Sequence, residues 1–127
     1  ILSEIWATLV ELQGGAMGLR PILDSYVPKE QEAERKQQRL RRFGEAFDAF
    51  TRAVIKNRPF YPTDVYEQLL GLRSLAIEEA VDYQWTNPDD KASKRAPEYW
   101  EKAHQNAEKI VQKVDEICEL IRKRIEA

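Results

Sequence analysis

Glu101 and His104 stand three residues apart, the spacing that turns a carboxylate and an imidazole to one face of a helix. Carboxylate-bridged di-metal bundles use two such pairs and two further glutamates, all facing inward. His104 is the only histidine in the chain, so a second pair cannot form within one protomer. Glu101 and His104 are therefore weak metal candidates, open only to a homodimer that brings two His104 together. No cofactor is expected. Glu78, Glu79 and Asp82 cluster further upstream, with Asp48 a candidate to face them. Close carboxylates can move protons or hold a hard cation. The simpler expectation is a solvated acidic face answering the basic segment before it.

That basic segment carries Arg35, Lys36, Arg39, Arg41 and Arg42. Such a run can touch phosphates, but Glu30, Glu32 and Glu34 interleave with it. No aromatic residue lies among the arginines to stack on bases. The net charge is −2, so no global field draws the chain to nucleic acid, and no nucleic-acid partner is expected. Cys118 would need a base to act as a nucleophile. His104 lies about 21 Å away along a continuous helix, so Cys118 is expected to serve packing.

Two further groups suit contact more than chemistry. Gly14 and Gly15 adjoin inside a helical pattern, where each glycine costs about 1 kcal/mol against alanine. They mark a kink, a close internal approach or a contact surface. The elbow NRPFYPTDVYEQL gathers Phe60, Tyr61 and Tyr66, either as a plug over one end of the core or as a patch for a docking partner.

The elements that must position these residues follow from spacing. Leu2, Ile5, Leu9, Leu12, Ala16, Leu19 and Leu23 alternate steps of three and four, the seam of a packed helix. Pro28 is expected to end it and open the next. Leu40, Phe43, Phe47, Phe50 and Val54 carry the second seam until Arg58-Pro59 stops it. Val65, Leu69, Leu72, Ala76, Ala80 and Tyr83 make the third, with Leu70, Ile77 and Val81 beside them. Asn87-Pro88-Asp89-Asp90 is expected as a turn. Pro97 opens the fourth helix, whose seam runs Trp100, Ala103, Ala107, Ile110, Val114, Ile117 and Ile121.

The 127 residues are 43% apolar and 33% charged, a folded and helix-rich composition sized for one domain. The fold class expected is all-α, an antiparallel four-helix bundle running up-down-up-down, with almost wholly apolar seams and no inward polar ligands. Residues 1–28, 29–58, 59–90 and 91–127 carry net charges of −2, +4, −6 and +2. The second and third helices should therefore attract as neighbours. A start at Ile1 without a capping residue makes the chain an expected piece of a longer protein.

The Trp-containing first helix (EIWATLVEL), the charged second helix, the NRPFYPTDVYEQL elbow and the last helix opening on Trp100 together resemble uncharacterised bacterial proteins. In these a helical domain follows one or more N-terminal membrane spans. The resemblance implies a cytosolic domain tethered to the inner face of a membrane by a segment outside this chain. The function expected is that of a non-enzymatic interaction or scaffold domain, with a protein partner or a second copy as its ligand. The alternative is a metal- or cofactor-binding helical-bundle enzyme.

Overall fold

The structure, a computed structural model, describes residues 1–21, 24, 27–85 and 96–126. Four helices account for nearly all of them: α1 (Leu2–Met17), α2 (Lys29–Lys56), α3 (Thr63–Trp85) and α4 (Ala96–Glu126). A 3-10 turn, Arg58–Phe60, sits between α2 and α3. There is no strand among the described residues. Nor is any helix there long and apolar enough to cross a membrane.

Cross-helix contacts give the direction of each neighbour. Lys56 approaches Glu4 while Arg39 donates to the Leu19 carbonyl, so α2 runs against α1. Arg73 meets Thr51 while Lys36 donates to the Gln84 carbonyl, so α3 runs against α2. Asp64 pairs with Arg124 and Glu78 with Lys102, so α4 runs against α3. This is the expected up-down-up-down bundle. The α1–α2 and α3–α4 pairs pack most closely, and α1 also reaches α3 across the diagonal.

Helix α1 is shorter than its seam suggested. Pro21 has no N–H to give the Met17 carbonyl and disfavours the α conformation at Arg20, so the helix stops four residues before it. Gly18 N–H closes the last turn on the Gly14 carbonyl at 3.0 Å. Leu19 still fills the core, and its buried side chain continues the stripe of Ile5, Leu9, Leu12 and Ala16. Leu23 and the Asn87–Asp90 turn lie outside the described residues.

The α2–α3 corner is held by one carbonyl. Ala53 O accepts from the Asn57 N–H at 3.2 Å, from Asn57 Nδ2 at 3.3 Å and from the Tyr61 hydroxyl at 3.1 Å. The Asn57 side chain and the Tyr61 hydroxyl thereby tie the corner to the last turn of α2. Within the core, Phe50 is fully buried, whereas Phe47 is only partly so, stacked on Phe43 with centroids 5.5 Å apart.

Candidate functional site

Helix α3 is where the residues capable of chemistry and those capable of contact meet. Its buried positions are Val65, Leu69, Leu72, Ala76, Glu79 and Tyr83, an unbroken alternation of four and three. The inward residue at the fifth position is therefore Glu79, not Ala80. Helix α4 makes the same substitution. Tyr99, Ala103, Asn106 and Ile110 face inward, whereas Trp100 is 41% exposed and Ala107 only half-buried.

Glu79 and Asn106 meet a third buried polar residue, Arg20, from just beyond the end of α1. Arg20 Nε donates to Glu79 Oε2 at 3.0 Å, and Nη2 forms a second, very short bond to Glu79 Oε1. Arg20 Nη1 donates to the Tyr99 carbonyl at 3.1 Å, and the guanidinium lies 4.7 Å from the Tyr99 ring centroid. Asn106 Nδ2 donates to Glu79 Oε1 and Asp82 Oδ2, each at 2.9 Å. One arginine thus joins α1, α3 and α4. The expected solvated acidic face and the expected absence of inward polar groups are both corrected here: Glu79 is fully inside, while Glu78 and Asp82 lie nearer the surface.

Burial in this cluster pushes the Tyr99 hydroxyl far above its ordinary range, against the nearby Arg20 charge, which pulls it down. The Tyr99 phenol is therefore a neutral packing and cation-π partner at any ordinary pH. Beside the cluster a cavity of about 190 Å³ is lined by Ala16, Met17, Arg20, Pro21, Glu79, Ala107 and Ile110. Asn106 Oδ1 is buried with no donor facing it. Both Asn106 donor hydrogens are committed to carboxylates, so the amide cannot be turned over without setting oxygen against oxygen.

The other candidates are dispersed. Glu101 and His104 lie on an exposed face of α4, where His104 Nε2 stands 3.1 Å from Glu108 Oε1. No group of three or more His, Cys, Asp or Glu among the described residues could hold a metal ion. Asp48 is exposed. Arg35 and Arg39 pair with Asp24 instead of the acidic helix, and Asp64, Glu78, Glu79 and Asp82 of α3 are met by Arg20 or by α4. The expected attraction of α2 for α3 therefore reaches other targets. Cys118 is half-buried at the rim of an open groove between α1 and α4, with Arg122 Nη2 3.9 Å from its sulfur.

Gly14 and Gly15 serve the α1–α2 contact. A Cβ on Gly15 would lie 3.3 Å from the Phe43 Cα, and one on Gly14 would lie 3.1 Å from the tip of Arg42. Tyr61 is buried, with its hydroxyl on α2, so it plugs the bundle end. Phe60 beside it is 66% exposed, and Tyr66 is half-buried beneath the Arg58 guanidinium.

Tyr66 also begins a feature that single residues do not reveal. Tyr66, Leu70, Ser74, Ile77, Val81 and Trp85 form a second stripe on α3. At about 100° per residue its centre falls roughly 150° from the buried stripe. Leu70 is 39%, Val81 46% and Trp85 77% exposed, and Ile77 is half-exposed. The one hydroxyl at its middle, Ser74, is returned to the Leu70 carbonyl at 3.2 Å. Exposed Glu67 shares the azimuth of Trp85 and marks one edge of the stripe. No protein-family model matches the chain, and no curated protein or solved structure matches it either.

Proposed function

We propose that this chain is a non-enzymatic helical interaction domain that docks a protein partner on the outer face of α3. The observation that carries the reading is that α3 is apolar on two opposite sides while only one of them is covered. A helix of that kind is ordinarily buried all round. Contiguous exposed apolar surface on a small soluble fold marks a contact site more often than chance placement does. Phe60, 66% exposed in the turn before α3, is a further apolar side chain turned to solvent.

The cavity beside Arg20 favours a second reading, a pocket for a small molecule. Its walls are mainly Ala16, Met17, Pro21, Ala107 and Ile110, and its two charged residues satisfy each other. It offers shape without a free acid, base or nucleophile, and so supports the enzyme alternative less well than α3 supports docking.

Site-specific photocrosslinking in the native cell tests the docking reading. A benzophenone side chain at Val81 or Trp85 should give a discrete protein adduct, and one at exposed Gln112 on α4 should not. Equal labelling from all three positions, or none from α3, would end it.

A further inference from the structure

The cavity beside Arg20 restricts its ligand by size first. Its floor is the buried Ala16, Arg20, Glu79 and Ile110, and its rim is the half-buried Met17, Pro21 and Ala107. An apolar cavity of about 150 Å³ takes up benzene. This one, at about 190 Å³, therefore admits a single ring with a short substituent. Pockets for drug-sized molecules begin at about 300 Å³, so a nucleotide or a fused-ring cofactor is too large.

Charge restricts it further. Arg20 donates twice to Glu79 and once to the Tyr99 carbonyl, and Glu79 also accepts from Asn106. An anion in the cavity would lie against Glu79, with Asp82 only 3.8 Å from the guanidinium, and a cation would lie against Arg20. Either leaves a charge uncompensated out of water, whereas an uncharged molecule leaves none. Two side chains then favour an aromatic ring over an aliphatic one. The Tyr99 ring covers one side of the guanidinium at 4.7 Å, and Tyr99 does not line the cavity, so Arg20 turns a different side towards it. A desolvated cation attracts the face of a ring. The Met17 thioether at the rim makes favourable contact with a ring edge.

We propose that this cavity binds an uncharged, single-ring aromatic molecule, held between the Arg20 guanidinium and the rim of Met17, Pro21 and Ala107. The inference rests on the reading of this cavity as a pocket for a small molecule, adds the class of ligand, and is independent of docking on α3. A ligand of about seven heavy atoms gives a Kd of about 0.1–1 mM.

Titration of the full chain with phenol at pH 7, followed by two-dimensional amide NMR, should shift the Ala16, Ala107 and Ile110 signals saturably. Cyclohexanol, with the same ring size and hydroxyl, should bind about threefold more weakly. Benzoate and benzylammonium should bind at least about tenfold more weakly than phenol. Ala107→Leu fills the cavity from its rim and should weaken phenol binding at least about tenfold with the helical circular dichroism kept. Met17→Leu keeps the volume but removes the sulfur, so it should narrow the preference for phenol over cyclohexanol whether or not the Ala107 variant folds. Benzoate or benzylammonium binding as tightly as phenol would overturn the uncharged class while leaving a pocket. Cyclohexanol binding as tightly would overturn the aromatic preference. No saturable shift at these residues with any of the four compounds would remove the pocket reading itself.

Discussion

Replacing Arg20 with methionine should destabilise the fold by about 3–5 kcal/mol, because it strands the Glu79 carboxylate in the interior. The Arg20 and Glu79 side chains are 1% and 4% exposed, so water cannot take the guanidinium's place at the surface. Three hydrogen bonds are lost: two to Glu79 and one to the Tyr99 carbonyl. Asn106 Nδ2 alone remains on Glu79. A domain of this size is stable by roughly 5–15 kcal/mol, so the loss is a large share of the total. Urea unfolding at pH 7, followed by far-UV circular dichroism, measures it as a fall in midpoint at unchanged slope. The double variant Arg20→Met/Glu79→Leu removes both charges and should recover most of the loss, since an apolar pair of similar volume is often neutral or stabilising by ~1–4 kcal/mol. A single-variant loss below about 1 kcal/mol would show that water reaches the pair and refute the argument from burial.

The same unfolding assay checks three further expectations. Gly44→Ala should stabilise by about 0.5–1 kcal/mol, since a Cβ there meets nothing within 4 Å, whereas Gly15→Val should cost about 1–3 kcal/mol by crowding the Phe43 backbone. Phe50→Ala should cost about 3–5 kcal/mol and Phe47→Ala clearly less, because only Phe50 is fully enclosed. Lys102, through its hydrogen bond to Glu78, holds that carboxyl below its ordinary range. A depressed carboxyl stabilises the fold above its unfolded value and loses that contribution as pH falls through the folded one. Both groups are about 40% exposed, so Glu78→Gln should cost less than about 1 kcal/mol at pH 7, and nothing once both states are protonated in acid.

The all-α architecture was legible because punctuation and periodicity agreed. Pro28, Arg58-Pro59 and Pro97 sit at helix boundaries, and most seam residues are buried where three–four spacing put them. The buried polar cluster was hidden by the preference for apolar residues along each seam. On α3, strict spacing from Ala76 leads to Glu79, and choosing Ala80 followed hydrophobicity over phase. On α4 the expected seam alternates strictly through Trp100, Ala103 and Ala107, and it is the inward Tyr99 and Asn106 that depart from that alternation. Arg20 had no helical phase to follow, since Pro21 had already ended α1. Leu70, Ile77 and Val81 were visible as neighbours of the third seam. That they face away from it needs the positions of α2 and α4, which one helix cannot supply.

A helix with two apolar stripes can be packed in two ways, and something must choose between them. Turning α3 by roughly half a turn would bury Leu70, Ile77 and Val81 and release Val65, Leu69 and Leu72, a near-even exchange in hydrophobic terms. Such a turn would also carry Glu79 into water and leave Arg20 buried without its partner, at a cost of about 3–5 kcal/mol. The buried ion pair thereby selects which stripe stays outside, and the proposed docking face depends on it. The double variant Arg20→Met/Glu79→Leu should therefore stay folded yet lose the unique orientation of α3. Thiol labelling of Val81→Cys, in a Cys118→Ala background, reads the outcome: fast and uniform with the pair intact, slower or biphasic without it. Identical labelling in both backgrounds would show that shape alone orients α3, leaving the ion pair no part in presenting its outer face.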